Sequence, residues 1–124
     1  MSDIARTILE MERSALDRWG RGDPDGFLEI SDPEVVYFDP FQERRLNGHD
    51  ALKALYNGLR GEVHLDEYEI IDPQVRVCGD MALLTFNFAG RSGADTQRWH
   101  TTEVYQRRGE CWRIVHTHWS FAKA

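Results

Sequence analysis

Cysteine is scarce in this sequence. Cys78 and Cys111 are too few for a disulfide framework, and no CxxC spacing points to metal or redox chemistry. Both read as small apolar fillers within strands. Proline is as sparing: each of the four, Pro24, Pro33, Pro40 and Pro73, follows an aspartate, which is the chemistry of turns. No apolar run approaches the roughly 20 residues that a bilayer-crossing helix needs. The opening MSDIARTILEMERS carries acids where a signal peptide has an unbroken apolar core, so a cytoplasmic location is expected, with no membrane partner. Basic charge is in deficit as well. Fifteen lysines and arginines stand against 21 acids, a formal charge of −6, which argues against nucleic acid as the main partner because phosphate binding needs basic patches. Repeats, low-complexity tracts and linkers are missing too. A single domain spanning 1–124 is expected, with 41% hydrophobic and 29% charged residues, long enough to bury about two thirds of its unfolded surface.

What is present is an ordered succession of patterns. From Ser2 to about Arg21, Ile4, Ile8, Met11, Ala15 and Trp19 recur at helical spacing, with Ser2 or Asp3 as cap and Gly20 and Gly22 as the stop. Asp23 and Pro24 open a short second helix through Phe27, Leu28 and Ile30, which Ser31 to Glu34 break. A strand pattern, VVYF, runs into Asp39 and Pro40. After a polar link containing Gly48, Leu52, Leu55, Tyr56 and Leu59 mark a third helix from about Asp50 to Leu59. Four strands follow, roughly Val63 to Val77 with a bend at Ile71-Asp72-Pro73, Met81 to Ala89, Gln97 to Arg107, and Cys111 to Phe121. Gly109 ends a three-residue loop, making the last two strands a hairpin. Helices first and a meander afterwards give an α+β layout, helices packed on one face of an antiparallel sheet, with a pocket where the sheet curves.

Two features carry chemistry. In VVYFDPF, Asp39 sits among apolar and aromatic residues: it either caps a turn or is an acid whose burial tunes it for proton transfer. In the last strand, alternation puts Val115, Thr117 and Trp119 on one face and Ile114, His116 and His118 on the other, with His100 one strand away. Three histidines on one face suit a zinc site, but hydrogen-bonded histidines at a subunit contact explain them better, and no metal or cofactor is expected. His49 and His64 read as loop or strand-edge residues, Arg107 and Arg108 as a solvated hairpin tip.

IIDPQVRVCGDMALL and TTEVYQRRGECWRIVHTHWS resemble the association domain of calcium/calmodulin-dependent protein kinase II, while the opening helix, FDPF and NGHDALKALYNGL resemble ketosteroid isomerase. Both belong to the NTF2-like superfamily, which also holds the SnoaL-like cyclases. The resemblance implies an NTF2-like cone of three N-terminal helices on a curved antiparallel sheet. By it, Asp39 matches the isomerase's catalytic base, Glu103 its protonated oxyanion donor, Trp119 a pocket tryptophan and Tyr56 a supporting tyrosine. The first-helix tyrosine that carries most of that oxyanion stabilisation is replaced by Ala15. It also turns Glu103, Tyr105, Thr117 and Trp119 into the cone beside Tyr37, Asp39, Phe86 and Phe88, and turns His100, His116 and His118 outward onto a homodimer face.

Three functions stay open. The first is a homodimeric protein of the kinase-association type holding a small, partly apolar organic molecule in a pocket of Tyr37, Tyr56, Phe86, Phe88, Tyr105, Thr117 and Trp119. The second is an isomerase, hydratase or cyclase with Asp39 as base and Glu103 as proton donor. The third is a non-catalytic assembly module. For the two carboxylates the bland alternative is that Asp39 caps its turn and Glu103 pairs with an arginine.

Overall fold

The computed structural model describes residues 1–123 and begins with α1, Asp3–Trp19. Its inward stripe is Ala5, Ile8, Glu12, Ala15 and Leu16, all buried, and one of these is charged. Ser2 is the cap, its hydroxyl accepting the Ala5 N–H at 3.1 Å. In α2, Asp25–Ile30, the Asp25 N–H donates to the Asp23 carboxylate at 3.0 Å, and Pro24 precedes the first turn. The two helices meet at Gly26, where a Cβ would lie 3.1 Å from the Ala15 Cα.

The expected break after α2 is itself strand: β1 runs Ser31–Phe38. It is followed by β2, Leu46–Asn47, and α3, His49–Leu59. His49 ties α3 to α2 through a 2.7 Å contact between its ring and the Leu28 carbonyl. The meander is β3 (Glu67–Cys78), β4 (Met81–Ser92), β5 (Asp95–Arg108) and β6 (Cys111–Phe121). β3 starts later than its apolar pattern predicts, because Leu65 and Asp66 donate their N–H groups to Gly20 and to Arg91 at the edge of β4, each outside a regular ladder. All three hairpins close with two-residue turns that open on a glycine of positive φ, at Gly79 (57°), Gly93 (63°) and Gly109 (65°). Glycine-first turns of this kind follow the right-handed strand twist, so the loop at Gly109 is one residue shorter than the sequence suggests. The predicted bend in β3 is there: Asp72 adopts φ 50° and the register shifts between Ile71 and Gln74.

The six strands lie in the order β2-β1-β6-β5-β4-β3, a curved, open sheet covered on one face by the helices. It is mixed rather than wholly antiparallel, because the meander returns β6 alongside β1 in parallel. A one-residue bulge corrects the expected parity of β6. Val104 pairs with His116 but Tyr105 pairs with Ile114, so Val115 is skipped and Ile114 and Trp112 turn inward with Thr117 and Trp119. His116 and His118 remain on the opposite face with Val36, Phe38, Leu83 and Val104, in rows linked by the ladder pairs Leu83–Val104, Val104–His116 and His116–Val36. Among the described residues no helix is long and apolar enough to cross a membrane. Gly26→Val forces side-chain atoms into the α1 backbone and should destabilise the fold by about 1–3 kcal/mol in chemical denaturation; an unchanged midpoint would contradict this packing.

Candidate functional site

Tyr37 and Asp39 continue the inward parity of β1 past its end. The Tyr37 hydroxyl donates to Asp39 Oδ2 at 2.7 Å. The N–H groups of Phe41 and Gln42 donate to Asp39 Oδ1 at 2.7 and 3.0 Å. The half-buried carboxylate therefore caps the turn after β1 and at the same time faces a hollow. Burial, then the neighbouring Tyr56 and the bond to Asp39, keep the Tyr37 phenol protonated far above its usual range. Burial does the same to Tyr56.

The hollow is about 250 Å³, between α1, α2, α3 and the inner face of the sheet. Tyr37, Asp39, Tyr56, Phe88 and Trp119 are in its wall, together with Trp19, Phe41 and Trp99, which sequence reasoning did not single out for it. The rings stand on edge against one another: Trp119 lies 5.3 Å from Phe88 and 5.9 Å from both Phe86 and Trp99, at interplanar angles of 80–85°. Tyr37 and Tyr56 are 5.7 Å apart at 89°. Phe86, Glu103, Tyr105 and Thr117 do not line this space; they face inward as expected, but lie sealed beneath it. Position along the ladder separates them: Glu103 is opposite Thr117, whereas Trp119 is opposite Thr101, two residues along and nearer the open end of the cone.

Beneath the hollow is an acid pair of which the sequence had suggested only one member. Glu12 from α1 and Glu103 from β5 are both 0% exposed. The Tyr105 hydroxyl donates to Glu12 Oε1 at 2.7 Å. Among the described residues no donor group serves Glu12 Oε2 or either oxygen of Glu103, which leaves Glu103 without an arginine partner. Burial first, and then the charge of Glu12, push Glu103 well above the usual carboxylate range; burial also raises Glu12, against the pull of Glu103 and Tyr105. Two sealed carboxyls cannot both ionise cheaply, so the pair as a unit favours keeping a proton. The signal for Glu12 was its place in the apolar stripe, four residues after Ile8 and four before Leu16.

The histidines are elsewhere. His100 meets Asn87 at 2.7 Å and is paired across the ladder with Ser120, while His118 stacks on Phe38 at 5.1 Å and His116 is half-buried, its pKa lowered by burial and then by His118. Among the described residues no three His, Cys, Asp or Glu side chains are grouped to hold a metal ion. The arginine tip is exposed, as expected, and also engaged: Arg108 Nε pairs with the buried Asp32 at 3.1 Å, and Arg107 lies 5.0 Å over the Trp112 ring.

Helices closing one face of such a sheet define the NTF2-like class of α+β cones. Residues 13–124 match the model of the SnoaL-like domain, and the chain belongs to that family. It is similar to a Parabacteroides distasonis crystal structure described as a candidate ketosteroid isomerase, with 36% identity over 98% of this chain and 90% of that one, at a TM-score of 0.90. The S. rosetta hub of calcium/calmodulin-dependent protein kinase II superposes with a TM-score of 0.80 at 25% identity, covering 98% and 99% of the two chains. The alpha chain of that kinase from Drosophila melanogaster is 26% identical over 119 residues, which is 90% of this chain but only 22% of the kinase.

The acid pair has a measurable consequence. A carboxyl whose folded pKa lies above its ordinary value of 4.5 favours the fold when protonated, so that stability is lost as pH rises through the folded value. Glu103→Gln removes that titration and offers an amide donor to the free oxygen of Glu12. Its melting temperature should exceed wild type by roughly 3–6 °C at neutral pH and converge with it near pH 4. Parallel stability–pH curves for the two proteins would contradict a shared buried proton.

Proposed function

We propose that this chain binds a small, partly apolar organic molecule in the hollow walled by Tyr37, Asp39, Tyr56, Phe88 and Trp119, and that it works as a self-associating domain. The observation that carries this is a partly open, ring-lined space with a carboxylate in its wall, the usual combination of apolar contact area and a few polar groups that orient a ligand. Self-association through the uncovered sheet face, including His100, His116 and His118, is supported by the apolar rows around Leu83 and Val104 and by the likeness to a kinase hub.

A second reading draws on Glu103. A proton-bearing carboxyl under the hollow, with Asp39 at its wall, fits an acid/base enzyme with Asp39 as base and Glu103 as proton donor, and the similarity to a candidate isomerase supports it. It requires Glu103 to reach the ligand, and Glu103, 0% exposed and outside the lining of the hollow, is the weaker partner in this geometry.

The test fills the space. Leu59 is half-buried in the cavity wall, so Leu59→Trp occupies the hollow from α3 without touching the acid pair. Ligand-observed NMR with small aromatic alcohols should detect binding to wild type and at least a tenfold loss in the variant, whose circular dichroism is unchanged. Equal binding by both would put the ligand elsewhere. For self-association, Leu83→Glu should halve the mass measured by light scattering, and an unchanged mass would remove the sheet face from the interface.

A further inference from the structure

We infer that the ligand of this hollow is a small organic cation, of the quaternary or tertiary ammonium class, an assignment that rests on the pocket reading and narrows it. Eight of the fourteen residues lining the hollow are aromatic. Because neighbouring rings meet edge to face, the wall turns ring faces in more than one direction, as Phe88, Trp99 and Trp119 do around one corner and Tyr37 and Tyr56 around another. Ring faces carry negative quadrupole density and attract a cation within about 6 Å, most strongly where water is excluded.

Charge points the same way. Asp39 is the one ionisable carboxylate in the wall, and no lysine or arginine lines it among the described residues. A ligand that fills the space displaces water from Asp39. A neutral molecule then leaves that charge without a counter-charge, and an anion adds repulsion; a cation compensates it. The carboxylate's hydrogen-bonding capacity is already largely taken, by Tyr37 on one oxygen and by the Phe41 and Gln42 amides on the other. What it has left to offer is charge. An alkylated ammonium, which needs a nearby negative charge and ring faces but few acceptors, matches that offer better than a primary amine with three N–H donors to satisfy. Size agrees: 250 Å³ is below the roughly 300–1,000 Å³ of pockets for drug-sized ligands, so the cation has few heavy atoms.

Three probes of nearly one shape separate charge from fit: choline, its neutral isostere 3,3-dimethylbutan-1-ol, and the anion 3,3-dimethylbutanoate. Each is titrated into the full chain at low salt and followed by tryptophan fluorescence, since Trp19, Trp99 and Trp119 line the space. Choline should bind at least tenfold more tightly than the alcohol, and the anion most weakly. Asp39→Asn, which keeps an oxygen for the Phe41 and Gln42 amides, should reduce choline affinity about tenfold and leave the alcohol unchanged. If the alcohol or the anion binds as tightly as choline, the cation assignment is overturned while the pocket reading stands. If all three fail to bind up to tens of millimolar, both fall together. Equal choline affinity in wild type and Asp39→Asn would also overturn the assignment.

Discussion

The edge-to-face seating of Trp119 against Phe86, Phe88 and Trp99 determines the interior of this molecule. Rings held perpendicular at 5–6 Å pack densely with each other but give the helices an uneven floor. α1 and α3 close over that floor through Leu16, Trp19, Tyr56 and Leu59, and the space they cannot fill is the hollow. Deeper in the cone the same sheet face carries Leu84, Tyr105 and Ile114, each at most 1% exposed, and there the packing is solid. The cone is thus open at one end and filled at the other, and each candidate group takes its character from the end it occupies.

That division separates the two carboxylates that look equivalent in the sequence. Asp39, at the open end, is held by three donors and stays in contact with the space a ligand would occupy. Glu103, in the solid part, is cut off from solvent, and burial with the charge of Glu12 beside it raises its pKa well above the usual carboxylate range. Unsatisfied buried carboxyls are costly, and the melt predicted for the glutamine variant depends on that cost. The resemblance to the isomerase assigned a base and a donor to one pocket; in this chain the two groups are at different depths. The fold is shared with isomerases and kinase hubs alike, and chemistry has to be argued from the residues.

Much of the architecture was legible. Helical spacing marked α1 and α3, the Asp23-Pro24 pair marked the start of α2, and glycine-led gaps separated the strands. What escaped was governed by contacts between distant segments. The Val115 bulge depends on how β6 registers with β5, and it moved Ile114 to the core face although alternation put it with His116 and His118. The late start of β3 depends on Leu65 bonding to the chain after α1. Glu12 was visible as a charge in an apolar stripe, yet its partners Tyr105 and Glu103 are about ninety residues away, and nothing local joins them. The wall of the hollow was half legible: Tyr37, Asp39, Tyr56, Phe88 and Trp119 line it, but which inward-facing residues are covered depends on where the helices end.

Everything proposed for this chain needs a ring-walled space that stands open beside Asp39 and Trp119. A crystal structure determined under xenon pressure tests it most directly, because xenon enters apolar cavities that dense packing would close. Xenon density is expected in contact with Trp119, Phe88 and Leu59. Rings collapsed into contact with α3, with no xenon between them, would contradict it.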